Sequence, residues 1–184
     1  MEVDTANKLL EPGCIAVIPT DTVYGLVARA EDNSAVKRLY DLKNRDQKPG
    51  TLIAANIEQL EALGLKHRYL KSVEQYWPGP ISVIIPASNP ELQYLHLGKL
   101  SLAVRIPSDK KLVSILLKTG PLLTSSANPP GKKPAETIEM AKQYFDQRVD
   151  FYEDGGDLSA KKPSTLIRVI DDAVDVLRQG AGEL

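Results

Sequence analysis

Short apolar runs that stop abruptly constrain the fold of this chain more than any other feature. CIAVI at residues 14–18 is followed by a proline, and ISVIIP at 81–86 and SLAVRIP at 101–107 each end in one. Proline cannot donate a hydrogen bond to a sheet, so it ends a strand there. Runs of this length with little polar alternation are typical of strands buried on both faces. The sequence therefore predicts a sheet that helices cover on both sides, an α/β layer fold.

Helical spacing fills most of the intervals between these runs. Val36, Leu39 and Tyr40 recur on one helical face, and Asn33 can cap that helix. The other predicted helices are residues 5–11, 56–76 with a break near Gly64, 109–118 and 136–146, and the other predicted strands are 51–55, 121–126, 149–154, 164–170 and 174–178. Because no helix separates the last strands, we expect a mixed sheet. We see no linker and expect one domain over residues 1–184.

The composition excludes several classes of protein. The 184 residues are 42% hydrophobic and 26% charged, which is enough for a real core. The formal net charge of −1 does not indicate a bulk electrostatic attraction to nucleic acid. No apolar stretch approaches the roughly 20 residues that cross a bilayer. The N-terminal stretch MEVDTANKLLEPG is acidic and amphipathic, unlike a secretion signal, so we expect a cytoplasmic protein without a membrane role.

Cysteine and histidine are too few and too scattered for a metal centre. Cys14 is the single cysteine and lies inside an apolar run, so we predict a core residue rather than a disulfide or a thiolate ligand. His67 and His96 are far apart in the sequence, and neither has a neighbouring ligand at metal-site spacing. We therefore expect no metal site built from protein ligands alone.

Polar clusters follow several of the predicted strands. TDTVY comes after residues 14–18, TSSAN after Leu123, Arg105 ends SLAVR, and Ser164 follows Pro163. Any one of these clusters is explained by helix capping and by turns that satisfy backbone groups. All of them together favour one shared pocket beyond the strand ends, where α/β sheets bind ligands.

Basic residues after the second predicted helix suggest an anionic ligand. Lys43 continues the buried helical face, and Arg45 and Lys48 follow it closely. Cations at a helix C-terminus are favourable in themselves, and an arginine and a lysine together also suit phosphate. Neither GxxxxGK[ST] nor GxGxxG after a strand is present. A nucleotide would therefore be held by side chains and irregular loops.

The motifs PTDTVYGL, Lys43-x-Arg45, WPGP, SLAVRIP, SSAN and STL followed by LRQG occur in this order. Together they resemble the YrdC/Sua5 family of threonylcarbamoyl-AMP synthases over residues 8–182, in its short single-domain form. The resemblance implies a twisted mixed β-sheet flanked by helices with a concave pocket. It also implies a nucleotidyl transfer in which L-threonine, bicarbonate or CO2, and ATP with Mg²⁺ give L-threonylcarbamoyladenylate and pyrophosphate.

The resemblance also assigns roles to individual residues. The family's phosphate-binding pair falls on Lys43 and Arg45, and its serine and asparagine fall on Ser126 and Asn128; we assign these four to catalysis and to ATP binding. The remaining ATP contacts are Lys48, Ser101 and Arg178. The matching threonine contacts are Thr20, Arg105, Thr124 and Ser164. Tyr24 is either a wall of this pocket or a packed core residue.

The sequence departs from the family pattern at Asp46–Gly50 and at Pro129-Pro130. Two alternatives to the main interpretation stay open. The first is an RNA-binding module, because contact with tRNA and double-stranded RNA is also ascribed to this family. The second is a YciO-type paralogue with another substrate, although Lys43-x-Arg45 and Ser126-x-Asn128 argue against it. The main interpretation implies further partners, namely the proteins that transfer the threonylcarbamoyl group to an adenosine beside the tRNA anticodon.

Overall fold

One mixed sheet organises the molecule. The computed structural model describes residues 4–44 and 48–184. The strands are β1 (Ile15–Ile18), β2 (Gly25–Arg29), β3 (Thr51–Ile53), β4 (Ile81–Pro86), β5 (Ser101–Arg105), β6 (Leu122–Ser126), β7 (Phe151–Tyr152), β8 (Thr165–Ile170) and β9 (Ala173–Arg178). The helices are α1 (Thr5–Leu9), α2 (Asn33–Leu42), α3 (Ile57–Leu63), α4 (His67–Lys71), α5 (Gln93–His96), α6 (Lys110–Thr119) and α7 (Ile138–Phe145).

The strand order in the sheet is β7-β1-β2-β6-β3-β5-β4-β8-β9. β1 with β7, β3 with β5, and β4 with β8 are parallel, and the other neighbours are antiparallel. The prediction of a mixed sheet flanked by helices is therefore confirmed. β2 was not predicted from the sequence, because this short strand begins with a glycine directly after the polar TDTVY turn.

Alternate residues of the central strands pack into two separate apolar clusters, one on each face of the sheet. Val17, Leu26, Leu52 and Val104 belong to the first cluster. Their strand neighbours Ala16, Ile18, Val27 and Ile53 belong to the second, which α1 and α6 cover with Leu9, Leu112 and Leu116. Burial on both faces explains why the strand sequences lack polar alternation.

Side-chain caps set the ends of the helices. Asp32, rather than Asn33, caps α2, and its carboxylate accepts a hydrogen bond from the Ala35 backbone N–H at 2.9 Å. Asn56 caps α3 in the same way at 3.0 Å. Gly64 then ends that helix in the left-handed conformation, with φ of 114°, and separates it from α4 as predicted.

Cys14 is a core residue, as predicted, with 5% of its surface exposed. Burial is the main reason that the pKa of its thiol rises to about 11. The thiol therefore stays protonated and unreactive at neutral pH.

Across residues 4–44 and 48–184, no helix is long and apolar enough to cross a membrane. In the same residues no three His, Cys, Asp or Glu side chains are grouped so that they could hold a metal ion.

The segment after β9 crosses the start of β8 closely. The Ala181 backbone N–H donates to the Pro163 carbonyl at 2.8 Å, and the Thr165 hydroxyl donates to the Gly182 carbonyl at 2.7 Å. A Cβ atom at Gly180 would lie 2.1 Å from the Pro163 carbonyl oxygen, so only glycine allows this crossing. The crossing fixes the backbone on either side of Ser164.

Candidate active site

A cavity of about 520 Å³ lies over one face of the sheet. Part of its lining is a row of residues that pair in register across four neighbouring strands: Thr124, Thr51, Ala103 and Ile84. We expected the pocket beyond the strand ends. In the structure it lies over the sheet, because small residues in mid-strand leave a hollow, and only its rims are built from strand ends.

Glycines keep this hollow open. A Cβ atom at Gly25 would lie 2.7 Å from the Thr124 hydroxyl, and one at Gly50 would lie 2.7 Å from the Thr124 carbonyl oxygen. Both glycines line the cavity. Real Cβ atoms do not approach other atoms this closely, so any larger residue at either position would displace Thr124.

Arg105 forms one end of the cavity. It is the last residue of β5 and only 3% exposed. Its Nη2 donates to Asp21 Oδ1 at 3.1 Å and its Nη1 donates to Ser82 Oγ at 3.1 Å. Its Nε and the second carboxylate oxygen of Asp21 have no partner among the described residues. A buried guanidinium with an unused N–H can receive a ligand carboxylate.

The turn after β1 brings Thr20 and Asp21 to this end. Thr20 Oγ1 donates to the Val23 carbonyl at 2.6 Å and accepts from the Thr22 backbone N–H at 3.1 Å. The Thr20 hydroxyl therefore stabilises a compact turn within this hydroxyl-rich sequence. This turn then places the Asp21 carboxylate against Arg105, 84 residues further along the chain.

Ser164 and Arg178 complete the same end. Ser164 Oγ lies 2.8 Å from Ser82 Oγ. The Ser164 carbonyl accepts from Arg178 Nε at 3.1 Å and Nη2 at 2.8 Å, and Ser164 Oγ accepts from Arg178 Nη2 at 3.1 Å. Asp21, Arg105, Ser82, Ser164 and Arg178 thus form one continuous polar network, which we call the paired end of the cavity.

The opposite end is built from exposed cations and hydroxyls. Ser101 and Arg105 lie on the same face of β5, about 13 Å apart along the strand. Lys48, Lys99, Ser101 and Ser126 line the cavity on the Ser101 side, and we call them the open end. The backbone around Lys99 is held by the buried His96, whose Nδ1 accepts from the Gly98 and Leu100 N–H groups.

Lys43 lies behind the loop that carries Ser126 and Asn128. It is 3% exposed, and its ammonium donates to the Ser126 carbonyl at 2.8 Å and the Asn128 carbonyl at 2.6 Å. Ser126 Oγ donates to Asn128 Oδ1 at 2.5 Å, and Asn128 Nδ2 donates to the Lys132 carbonyl at 2.7 Å. Lys43 and Asn128 therefore shape the loop at the rim of the cavity.

Tyr24 is fully buried and is absent from the described lining of the cavity. Its hydroxyl donates to the Gly156 carbonyl and accepts from the Gly155 N–H, both at 2.8 Å. Burial raises the pKa of the phenol, so it stays a donor at neutral pH. Tyr24 thereby holds the EDGGD loop behind the wall of the cavity.

The structure brings most of the residues assigned from the sequence into one cavity: Thr20, Lys48, Ser101, Arg105, Thr124, Ser126, Ser164 and Arg178. Lys43 and Asn128 contact its rim from behind, and Arg45 lies outside the described residues. Sequence reasoning assigned no role to Asp21, Ser82 and Lys99. Asp21 lies inside the motif PTDTVYGL, Lys99 lies two residues before SLAVRIP, and Ser82 is a lone polar residue within an apolar strand.

The electrostatics of the cavity favour an anion. Lys48, Lys99, Arg105 and Arg178 line it, and no Asp or Glu does so within the part of the chain that the structure describes. Asp21 is close by but is paired with Arg105. The fold and the cavity therefore define a mixed α/β protein whose cavity offers cationic side chains, rather than a glycine-rich loop, to an anionic ligand.

Comparison with known proteins agrees with this class. The Sua5/YciO/YrdC family model, described as "Telomere recombination", matches residues 8–180, so this chain belongs to that family. The resemblance carried by the sequence motifs is thus confirmed. A threonylcarbamoyl-AMP synthase of Marinobacter nauticus is 32% identical over 176 residues, 92% of each chain.

Solved structures share the fold. P. abyssi Sua5 complexed with L-threonine has a TM-score of 0.82 and 29% identity, with 95% of this chain and 52% of that chain covered. This chain thus spans about half the length of that protein. E. coli YciO has a TM-score of 0.80 over 97% of this chain and 88% of that one, but at 24% identity the likeness is one of fold alone.

Proposed function

We propose that this chain is an L-threonylcarbamoyladenylate synthase, a nucleotidyltransferase that uses L-threonine, bicarbonate or CO2, and ATP. One observation carries the proposal: a single cavity has a buried arginine with an unused N–H at one end and exposed lysines at the other. The first end suits an amino-acid carboxylate, and the second suits phosphates. The relatives named threonylcarbamoyl-AMP synthase support the same activity.

In this proposal the amino acid binds at the paired end. Its carboxylate would meet Arg105, and the hydroxyls of Thr20, Thr124 and Ser164, which line the same cavity, would recognise its own hydroxyl. A site that hydrogen-bonds a substrate hydroxyl rejects analogues that lack it, because its own polar groups are then left unpaired. Tyr24 supports the wall of the cavity from behind, through its hydrogen bonds to the EDGGD loop.

The nucleotide binds toward the open end. Lys48, Lys99 and Ser101 are placed to contact phosphates, and Arg178 would contact the nucleotide from the paired end. Ser126 and Asn128 orient the nucleotide from the rim. Arg45 keeps the phosphate role that the motif implies, and Lys43 would serve the same phosphate site by holding the loop of Ser126 and Asn128 through their carbonyls. Mg²⁺ would enter with ATP, because its oxygen ligands are phosphates and water and the described lining offers no carboxylate.

The chemistry then requires positioning rather than a protein nucleophile. The neutral threonine amine adds to CO2 to give a carbamate and releases a proton. A carbamate oxygen attacks the α-phosphorus of ATP, the bond to the bridging oxygen breaks, and pyrophosphate leaves. The cations of the cavity neutralise the charge that develops on the phosphate oxygens.

The proposal includes the setting of this reaction. Residues 1–184 would act as one catalytic domain in the cytoplasm, where further proteins transfer the threonylcarbamoyl group to tRNA. Direct contact with tRNA or double-stranded RNA would use the exposed pairs Lys132-Lys133 and Lys161-Lys162.

The test is pyrophosphate release by the purified protein. We expect release only when L-threonine, bicarbonate and MgATP are all present, with the threonylcarbamoyl adenylate identified by mass spectrometry. Equal release with L-serine, or without an amino acid, would contradict the proposal. Arg45→Ala should abolish turnover with an unchanged circular dichroism spectrum. Wild-type activity in that variant would remove Arg45 from the site.

A further inference from the structure

Ser82 carries a buried hydroxyl at the centre of the polar network. It lies within β4 and is 0% exposed, between the apolar neighbours Ile81 and Val83. Its Oγ accepts from Arg105 Nη1 at 3.1 Å and lies 2.8 Å from Ser164 Oγ. Ser82 is not among the described residues that line the cavity, so it contacts the two lining residues from below.

The donor chemistry gives this network a direction. A guanidinium only donates, so Arg105 occupies one of the two acceptor sites of Ser82, and either hydroxyl could be the donor between Ser82 and Ser164. We assign the donated proton to Ser82, because Ser82 is fully buried while Ser164 lines the cavity and can turn its own proton toward a ligand. Ser164 Oγ is the acceptor that the structure provides for this proton. Ser164 Oγ also accepts from Arg178 Nη2 at 3.1 Å. With both of those bonds made, the proton of the Ser164 hydroxyl remains available for an acceptor atom in the cavity.

We propose that Ser82 is a positioning residue that couples the amino-acid site to the nucleotide site. The inference rests on the proposed function, since it takes the ligand at Arg105 to be threonine and the ligand near Arg178 to be ATP. A carboxylate that fixes Arg105 also fixes Ser82, which orients Ser164 and through it the guanidinium of Arg178. ATP that fixes Arg178 would orient Ser164, Ser82 and Arg105 through the same hydrogen bonds. Coupling between two binding sites is reciprocal, so each substrate should strengthen the binding of the other.

A purely structural role for Ser82 gives a different expectation. If its hydroxyl only satisfies the buried guanidinium of Arg105, its loss will lower stability and weaken threonine binding. It will then leave unchanged the factor by which an ATP analogue alters that binding. The coupling factor is therefore the measurement that separates the two roles.

The experiment is calorimetric titration of L-threonine with and without a non-hydrolysable ATP analogue and Mg²⁺, in the wild type and in three variants. In the wild type we expect the analogue to tighten threonine binding by about fivefold or more. Ser82→Ala should weaken binding of threonine alone by about tenfold and bring the coupling factor close to one. Ser82→Thr keeps the hydroxyl and should restore the coupling.

Thr119→Val is the matched control. It removes another buried hydroxyl, which donates only to the adjacent Gly120 carbonyl among the described residues and lies away from the cavity. We expect this variant to keep the wild-type coupling factor.

Three results would overturn the inference. Ser82→Ala could show the wild-type coupling factor, Thr119→Val could lose the coupling equally, or Ser82→Thr could fail to restore coupling while it still binds threonine. Each leaves the proposed function standing, because the wild type still binds both ligands. A wild-type protein that binds no threonine would overturn both.

Discussion

The two ends of the cavity hold their charges in opposite ways. At the paired end the side chains of Arg105 and Asp21 are only 4% and 6% exposed, and hydrogen bonds fix the guanidinium. At the open end Lys48 and Lys99 are exposed to solvent. The structure shows no hydrogen bond or ion pair of the Lys99 side chain within the described residues.

The difference indicates what each end contributes to binding. A buried charge pair held by hydrogen bonds contributes geometry, because its remaining donors and acceptors point in defined directions and favour a ligand of matching shape. Exposed lysines are flexible point charges, and they contribute attraction for phosphate with little directional preference. We therefore expect selectivity for the amino acid to arise at the paired end and affinity for the triphosphate to arise at the open end.

Breaking the buried pair should have the largest effect. Arg105→Gln leaves the Asp21 carboxylate buried without its counter-charge, which should lower the free energy of unfolding by about 3–5 kcal/mol. Threonine-dependent pyrophosphate release should fall by about 100-fold or more. Urea denaturation and the pyrophosphate assay measure the two effects.

The double variant Asp21→Asn/Arg105→Gln separates stability from binding. It removes both charges, so we expect much of the lost stability to return while activity stays low. If the urea midpoint of Arg105→Gln equals that of the wild type, the buried ion pair does not contribute to stability as proposed.

Removing a cation from the open end should have an intermediate effect. Lys99→Ala should raise the KM for ATP by about tenfold at most, because the ammonium is exposed to solvent. The KM for threonine and the midpoint of thermal unfolding should stay as in the wild type. Lys66→Ala, which removes an exposed lysine away from the cavity, is the control. An equal rise in both KM values would mean that the two ends do not act separately.

Ionic strength should affect ligand binding differently at the two ends in the wild type, and this is the smallest of the expected effects. Raising the ionic strength from about 0.05 M to about 0.5 M shortens the Debye length to about 4 Å and screens exposed charges. The dissociation constant of the ATP analogue should rise a few-fold at constant Mg²⁺, and that of threonine should change less. Calorimetry at the two ionic strengths measures both. Equal sensitivity to salt would contradict the assignment of buried and exposed ends.

Much of the fold can be predicted from the sequence, because apolar runs and proline stops are local signals. The strands at 14–18, 81–86, 101–107 and 121–126 were found in this way, whereas β2 was missed because its residues give no such signal. The position of the cavity over the sheet could not be predicted in this way. It depends on the register between strands that are distant in sequence.

The residues of the candidate site also differ in whether the local sequence identifies them. Arg105, at the end of one apolar strand, and Ser164, at the start of another, were noted as polar residues beside strands, and the family resemblance then assigned them to threonine. Ser82 gives no local signal, since its partners are 23 and 82 residues away. Lys99 is one exposed lysine among many in the sequence, and only the folded chain shows that it lines the cavity.

The order in which the ribosome makes the chain matters for this cavity. Thr20, Arg105 and Ser126 are synthesised well before Ser164 and Arg178, and the crossing by residues 180–182 that secures Ser164 comes after both. A nascent chain therefore contains Lys48, Lys99 and Arg105 before it contains Ser164 and Arg178, which bind each other. Domains generally fold as units during translation, so we expect the ability to bind both substrates together to arise in a single late step.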